Sequence, residues 1–259
     1  MDLGLRGKSA IVCASSKGLG RACAKALASE GVAVVINGRD AERLAEAGAA
    51  IRAVSDVDVT EVVADLNTEA GRAALLAACD APDILITNNG GPSPGRFVDW
   101  DREVWLAALE ANLLAPVLMI RGVIEGMCER KFGRIVNITS AMVKTPMSPM
   151  GLSTAARSAL TATCKGLSKD VAKDNVTINN LLPERIDTDR QKTMAEIVSK
   201  MAGITMEEAR QKQIDTISAG RLGTPEELAE ACVFLCSANA GYISGQNLQL
   251  DGGSYDGLI

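Results

Sequence analysis

Brief runs of Val, Ile, Leu and Ala recur at residues 10–14, 32–36, 62–64, 84–86 and 135–138, each continuous rather than alternating with polar residues. Continuous apolar runs of this length mark strands buried on both faces. Between them, residues 21–30, 42–54, 69–79 and 100–129 carry helix formers with apolar side chains at i, i+3, i+4 spacing, the pattern of crossover helices. Runs at 175–182 and 247–250 bring the predicted strands to about seven. A strand–helix repeat with right-handed crossovers gives an α/β, doubly wound parallel sheet, in which ligands bind beyond the carboxyl ends of the strands.

The length of 259 residues fits one large domain, and no linker rich in Pro, Gly or Ser divides it, so residues 1–259 are predicted to form a single unit. One connection breaks the rhythm. Residues 184–223 are far longer than an ordinary strand-to-helix loop and contain helical pieces of their own, which predicts a substrate lid. Met201, Ile204 and Met206 within it predict an apolar lining.

Composition excludes several chemistries. The net charge of −5 and the lack of a basic run argue against nucleic acid. The longest apolar runs fall well short of the roughly 20 residues of a membrane span, and the charged N-terminal residues do not read as a secretory signal, so a cytoplasmic location without membrane partners is expected. Seven scattered cysteines with no C-x-x-C spacing predict reduced, mostly buried thiols and no metal site. There is no histidine, which removes Ser-His-Asp and Cys-His nucleophiles and any imidazole base.

After the first strand, Ala14-Ser15-Ser16-Lys17-Gly18-Leu19-Gly20 opens directly into a helix. Such a bend turns backbone N–H groups and a helix N-terminus toward an anionic pyrophosphate. The loop resembles the T-G-x-x-x-G-x-G variant of the short-chain dehydrogenase/reductase family, with Ala14 in place of the first glycine, for which a negative φ is expected. Further landmarks follow in order: Asp65, Asn88-Asn89-Gly90-Gly91, Asn112, Ser140, Pro183, Thr188, Arg221-Leu222-Gly223-Thr224-Pro225-Glu226-Glu227, Gly245 and Asp251-Gly252-Gly253. The resemblance spans nearly the whole chain and is nearest to the β-ketoacyl carrier-protein reductase-like branch. It implies a Rossmann-type fold, a nicotinamide cofactor held by Ala14, Ser16, Lys17, Gly18, Leu19, Gly20, Arg39, Asp65, Leu66, Asn88, Gly90, Arg157, Pro183, Ile186 and Thr188, and catalytic roles for Asn112 and Ser140. It also implies a homodimer or homotetramer pairing the helices at 100–129 and 153–173, where Leu106, Leu109, Leu113 and Leu160 serve either that contact or the monomer core.

Cofactor choice follows from the end of the second strand, Ile36-Asn37-Gly38-Arg39, which offers no carboxylate to ribose hydroxyls. Asp40 reads as a helix N-cap. Arg39 and Lys17 suit a 2′-phosphate, so NADP(H) is expected over NAD(H).

The family's Tyr-x-x-x-Lys is missing. In its register the chain reads Ser153-Thr154-Ala155-Ala156-Arg157, and the two tyrosines, Tyr242 and Tyr255, lie near the C-terminus. Ser153 and Arg157 at i, i+4 share a helix face, but an alcohol is a far weaker acid than a phenol and a guanidinium does not cycle protons. Three readings stay open: a carbonyl reductase with a relocated acid, Lys144 or Glu184; a reductase of a conjugated enoyl or enone acceptor; and a catalytically silent NADP-binding subunit or sensor. In the first two the partner is a small-molecule substrate.

Overall fold

The computed structural model describes residues 1–258. Strands β1 (Ser9–Val12), β2 (Ala33–Gly38), β3 (Val59–Val63), β4 (Ile84–Thr87), β5 (Gly133–Ile138), β6 (Val176–Pro183) and β7 (Asn247–Leu250) form one parallel sheet in the order β3-β2-β1-β4-β5-β6-β7. This is the doubly wound Rossmann-type arrangement predicted above. Helices α1 (Gly18–Ser29), α2 (Ala41–Arg52) and α9 (Pro225–Cys236) cover one face, and α3 (Glu69–Ala77), α5 (Ala115–Glu129) and α6 (Gly151–Val171) the other. Alternation along each strand feeds both cores: Ala10 and Val12 pack with Leu27 and Leu44, whereas Ile11 packs with Leu75 and Met119.

The third strand departs from expectation. It lies at 59–63 rather than 62–64, and as the sheet's edge its side chains are only partly covered. The helical stretch at 100–129 also divides, into α4 (Arg102–Leu109), a π turn at Glu110–Leu114 and α5. Pro116 has no N–H to offer the carbonyl of Asn112 four residues earlier, and the helix widens there. By length and composition Arg102–Glu129 would reach across a membrane, contrary to the shorter runs counted in the sequence, but here it packs on β4, β5 and α6. Leu160 is core, whereas Leu106 is exposed.

Residues 184–223 contain α7 (Asp189–Ala202) and α8 (Met206–Ile214). Met201 and Met206 are exposed, so the predicted apolar lining is not formed by these two side chains. Across the sheet, Thr87 donates to Asn137 at 2.6 Å, Asn137 to Asn180 at 2.9 Å and Asn180 to Asn247 at 2.8 Å, each pair in direct register. All seven cysteines are free thiols, and no metal-binding cluster occurs among the described residues.

Candidate active site

The strand order reverses between β1 and β4, which opens a crevice at their carboxyl ends. Asn88, just past β4, crosses it and donates to the Ala14 carbonyl at 3.1 Å. Ala14 has φ +46°, not the negative value expected. It stays in this left-handed conformation because it is held twice, by Asn88 on its carbonyl and by the side-chain oxygen of Asn37, which accepts its N–H at 3.3 Å. Asn37 is itself locked by donating to the carbonyls of Val62 and Ala64.

The loop beyond fits a dinucleotide. A Cβ at Gly20 would lie 2.5 Å from the Ala14 carbonyl oxygen, so only glycine lets the bend close. Lys17 gives no side-chain cap to α1, which leaves its first N–H groups open to an anion. Gly90 faces open space, and a Cβ at Gly18 would come 3.9 Å from Thr188 Cγ2, so the start of the 184–223 segment abuts this loop. Asp65 caps its own turn by accepting the Asn67 N–H, Leu66 is buried below it, and Ile186 bridges to Gly223. Arg39 is exposed and outside every ion pair among the described residues, while Lys17 is paired with Asp189 at 3.3 Å rather than free. Asp40 caps α2 through the Arg43 N–H.

The reacting end is assembled around Arg157. Its Nε donates to Ser153 Oγ at 3.1 Å and one terminal nitrogen to the Ile138 carbonyl at 2.7 Å, which ties α6 to the end of β5 two residues before Ser140. Ser140 Oγ accepts the Met142 N–H at 3.2 Å and keeps its own proton for a further partner. Asn112, buried in the π turn, donates to the Gly90 carbonyl at 3.1 Å while its Oδ1 has no partner among the described residues, an orphaned acceptor of the kind active sites retain. Burial pushes the Arg157 guanidinium down to about 10, and the nearby Arg190 charge adds to the effect.

The two relocated-acid candidates lie in different places. Lys144 is half-buried, with Nζ 5.2 Å from the centre of the Tyr255 ring. Glu184 lies 3.7 Å from Arg185 and lines a cavity of about 280 Å³ whose walls include none of Ser140, Ser153 or Arg157. Burial raises its pKa, Arg185 opposes this and Asp251 adds to it.

A family model described as enoyl-(acyl carrier protein) reductase matches residues 13–255. The chain belongs to the short-chain dehydrogenase/reductase family. Among relatives of this oxidoreductase, a 3-oxoacyl-[acyl-carrier-protein] reductase, FabG, of Aquifex aeolicus is 31% identical over 98% of this chain and 100% of its own. Dehydrogenase/reductase SDR family member 4 of Oryctolagus cuniculus is 33% identical over 96% and 94%. The L-sorbose reductase of Gluconobacter frateurii, solved with NADPH and L-sorbose, superposes with a TM-score of 0.94 at 32% identity, covering both chains completely.

In this short-chain dehydrogenase/reductase the structure brings Ser153, Arg157, Asn112 and the Gly90–Gly91 loop together and leaves Glu184 aside. Sequence reading missed Asn37 as the brace of Ala14, Tyr255 as a neighbour of Lys144, and Arg190. Arg190 had a signal available: it is a cation in the first turn of a helix, where the helix dipole disfavours one.

Proposed function

We propose that this protein is an NADP(H)-dependent reductase of a carbonyl acceptor that works without the family's phenol. The observation that carries the reading is the Ser153–Arg157–Ile138 junction, which holds the start of α6 against the end of β5 two residues before Ser140. When bound, the reduced nicotinamide supplies a hydride to the acceptor carbon and leaves as its oxidised form. The chain's share is to polarise the acceptor oxygen and return a proton to it. Ser140 and Ser153 hydroxyls hydrogen-bond the oxygen as charge builds, a role worth about 10²–10³ in rate. Arg157 fixes Ser153 by donating to its Oγ through Nε, which leaves the Ser153 hydroxyl proton for a further partner. Lys144, four residues past Ser140, delivers the proton and is reloaded from solvent. Arg39, open at the end of β2, supports NADP(H) over NAD(H). The 184–223 segment acts as the lid.

A conjugated acceptor is the second reading, favoured by the lack of any tyrosine on α6. Charge delocalised over an enolate asks less of a proton donor. The test is a panel of ketones, β-ketoacyl thioesters and enoyl thioesters, followed by loss of NADPH absorbance. Turnover abolished by Ser140→Ala supports an enzyme, and Lys144→Met separates the acceptor classes by slowing ketones far more than enoyl thioesters. Tight NADPH binding without turnover on any member marks a silent subunit. We also propose self-association through α5 and α6, where Val117, Ile124 and Leu167 border an apolar groove of about 190 Å³, to be read by sedimentation velocity.

A further inference from the structure

Two guanidiniums meet at the reacting end without an acid between them. A Cβ on Gly91 would stand 3.8 Å from the second terminal nitrogen of Arg157, which has no hydrogen-bond partner among the described residues. Arg190, in the first turn of α7, reaches the same loop and donates to the Pro92 carbonyl at 2.7 Å. Neither arginine takes part in an ion pair among the described residues. The acids near Arg190 are committed elsewhere: Asp189 lies 3.3 Å from Lys17, Asp187 2.9 Å from Arg210, and Glu184 3.7 Å from Arg185. Burial and the Arg190 charge lower the Arg157 pKa, and burial lowers that of Arg190. Two partly desolvated like charges converging on one loop are unfavourable unless an anion joins them.

We propose that Arg157 and Arg190 clamp a carboxylate of the acceptor, which makes the substrate class a short oxo acid. A guanidinium pair matches the planar, two-oxygen geometry of a carboxylate. The ribose that the family resemblance brings to Arg157 offers only neutral hydroxyls, so the cofactor's phosphates are the competing source of negative charge. They belong at the N-terminus of α1, beside which Asp189 meets Lys17, whereas Arg190 on the next residue is held by the Pro92 carbonyl in the loop after β4. This assignment rests on the reductase reading above for its catalytic consequence, but not for its binding consequence.

The catalytic arm compares acetoacetate with methyl acetoacetate and pyruvate with methyl pyruvate, each with NADPH, so that members of a pair differ only in the carboxylate. The expected result is kcat/KM at least tenfold higher for the acid in one pair or both, with the preference erased in Arg190→Met and partly kept in Arg190→Lys. Equal rates for acid and ester in both pairs overturn the proposal. The binding arm needs no turnover: calorimetric titration of the NADP⁺-loaded protein with malonate or oxamate, unreactive carboxylates. Binding that Arg190→Met weakens at least tenfold, with NADPH affinity unchanged, supports the clamp even if the reductase reading fails. No carboxylate binding, or a fall in NADPH affinity in Arg190→Met, assigns the pair to the cofactor and overturns it.

Discussion

Replacing Arg157 by methionine should stabilise the protein while it destroys the clamp. Burial and the Arg190 charge hold the guanidinium at about 10, against ~12.5 when unperturbed. Each tenfold change in proton affinity corresponds to about 1.4 kcal/mol, so carrying the charge costs the folded state about 3 kcal/mol. The sign follows from a base whose folded pKa is depressed. Below about 10 both folded and unfolded chains hold the proton and the penalty is constant, and it is relieved only as pH rises through the folded value. Methionine keeps the apolar stem but leaves the Ile138 carbonyl and the Ser153 hydroxyl without their donor, a loss of about 1–2 kcal/mol. The net gain of about 1–2 kcal/mol raises the melting temperature by roughly 2–8 °C at this chain length. Scanning calorimetry at pH 7 reads it, and the variant's melting temperature should no longer respond to malonate. A lowered melting temperature would refute the reasoning, because it would mean that the charge is already compensated within the fold.

Four further outcomes are expected. Ala14→Gly relieves the left-handed strain at φ +46° and, after the added freedom of the unfolded chain is subtracted, gains roughly 0.5–1 kcal/mol in urea unfolding. Gly20→Ala drives a methyl against the Ala14 carbonyl and should abolish NADPH binding in fluorescence titration while far-UV circular dichroism stays native. Arg39→Ala should weaken NADPH by roughly 10- to 100-fold, the worth of a charged hydrogen bond, with NADH affinity unchanged. Because burial raises the Glu184 pKa, its contribution to stability falls as pH climbs from the ordinary carboxylate range through the raised value. Urea midpoints measured across that range should flatten in Glu184→Gln.

The central strands were legible because strands buried on both faces leave continuous apolar runs; β6 was placed within a residue at either end, and the edge strand β7 was placed at 247–250 although its residues are exposed or only partly covered. The edge strand β3 was misplaced because its Val59-Thr60-Glu61 half is only partly covered and so lacks that run. The helix at 100–129 reads as continuous until the missing N–H of Pro116 is set against the carbonyl it would have served. At the candidate site, Ser140, Ser153, Arg157 and Asn112 lie on motif spacings and were named from the sequence, their roles resting on the proposed mechanism. Arg190 and Asn37 were not, because what places them is a contact from a distant segment, Pro92 for one and Ala14 for the other. The expected negative φ at Ala14 failed for the same reason: local preference was overruled by two hydrogen bonds from outside the loop.

The row Thr87–Asn137–Asn180–Asn247 lies one residue below the Ile138 carbonyl that receives Arg157. Sliding β4, β5 or β6 by a single step would strand an amide where no solvent can reach it, so these strands are keyed to one another like tumblers in a lock. In the proposed mechanism, the cleft therefore has a floor that keeps its level whatever the helical segment above it does. Under that proposal, substrate entry remodels the roof without shifting Ser140 and Ser153 against the acceptor.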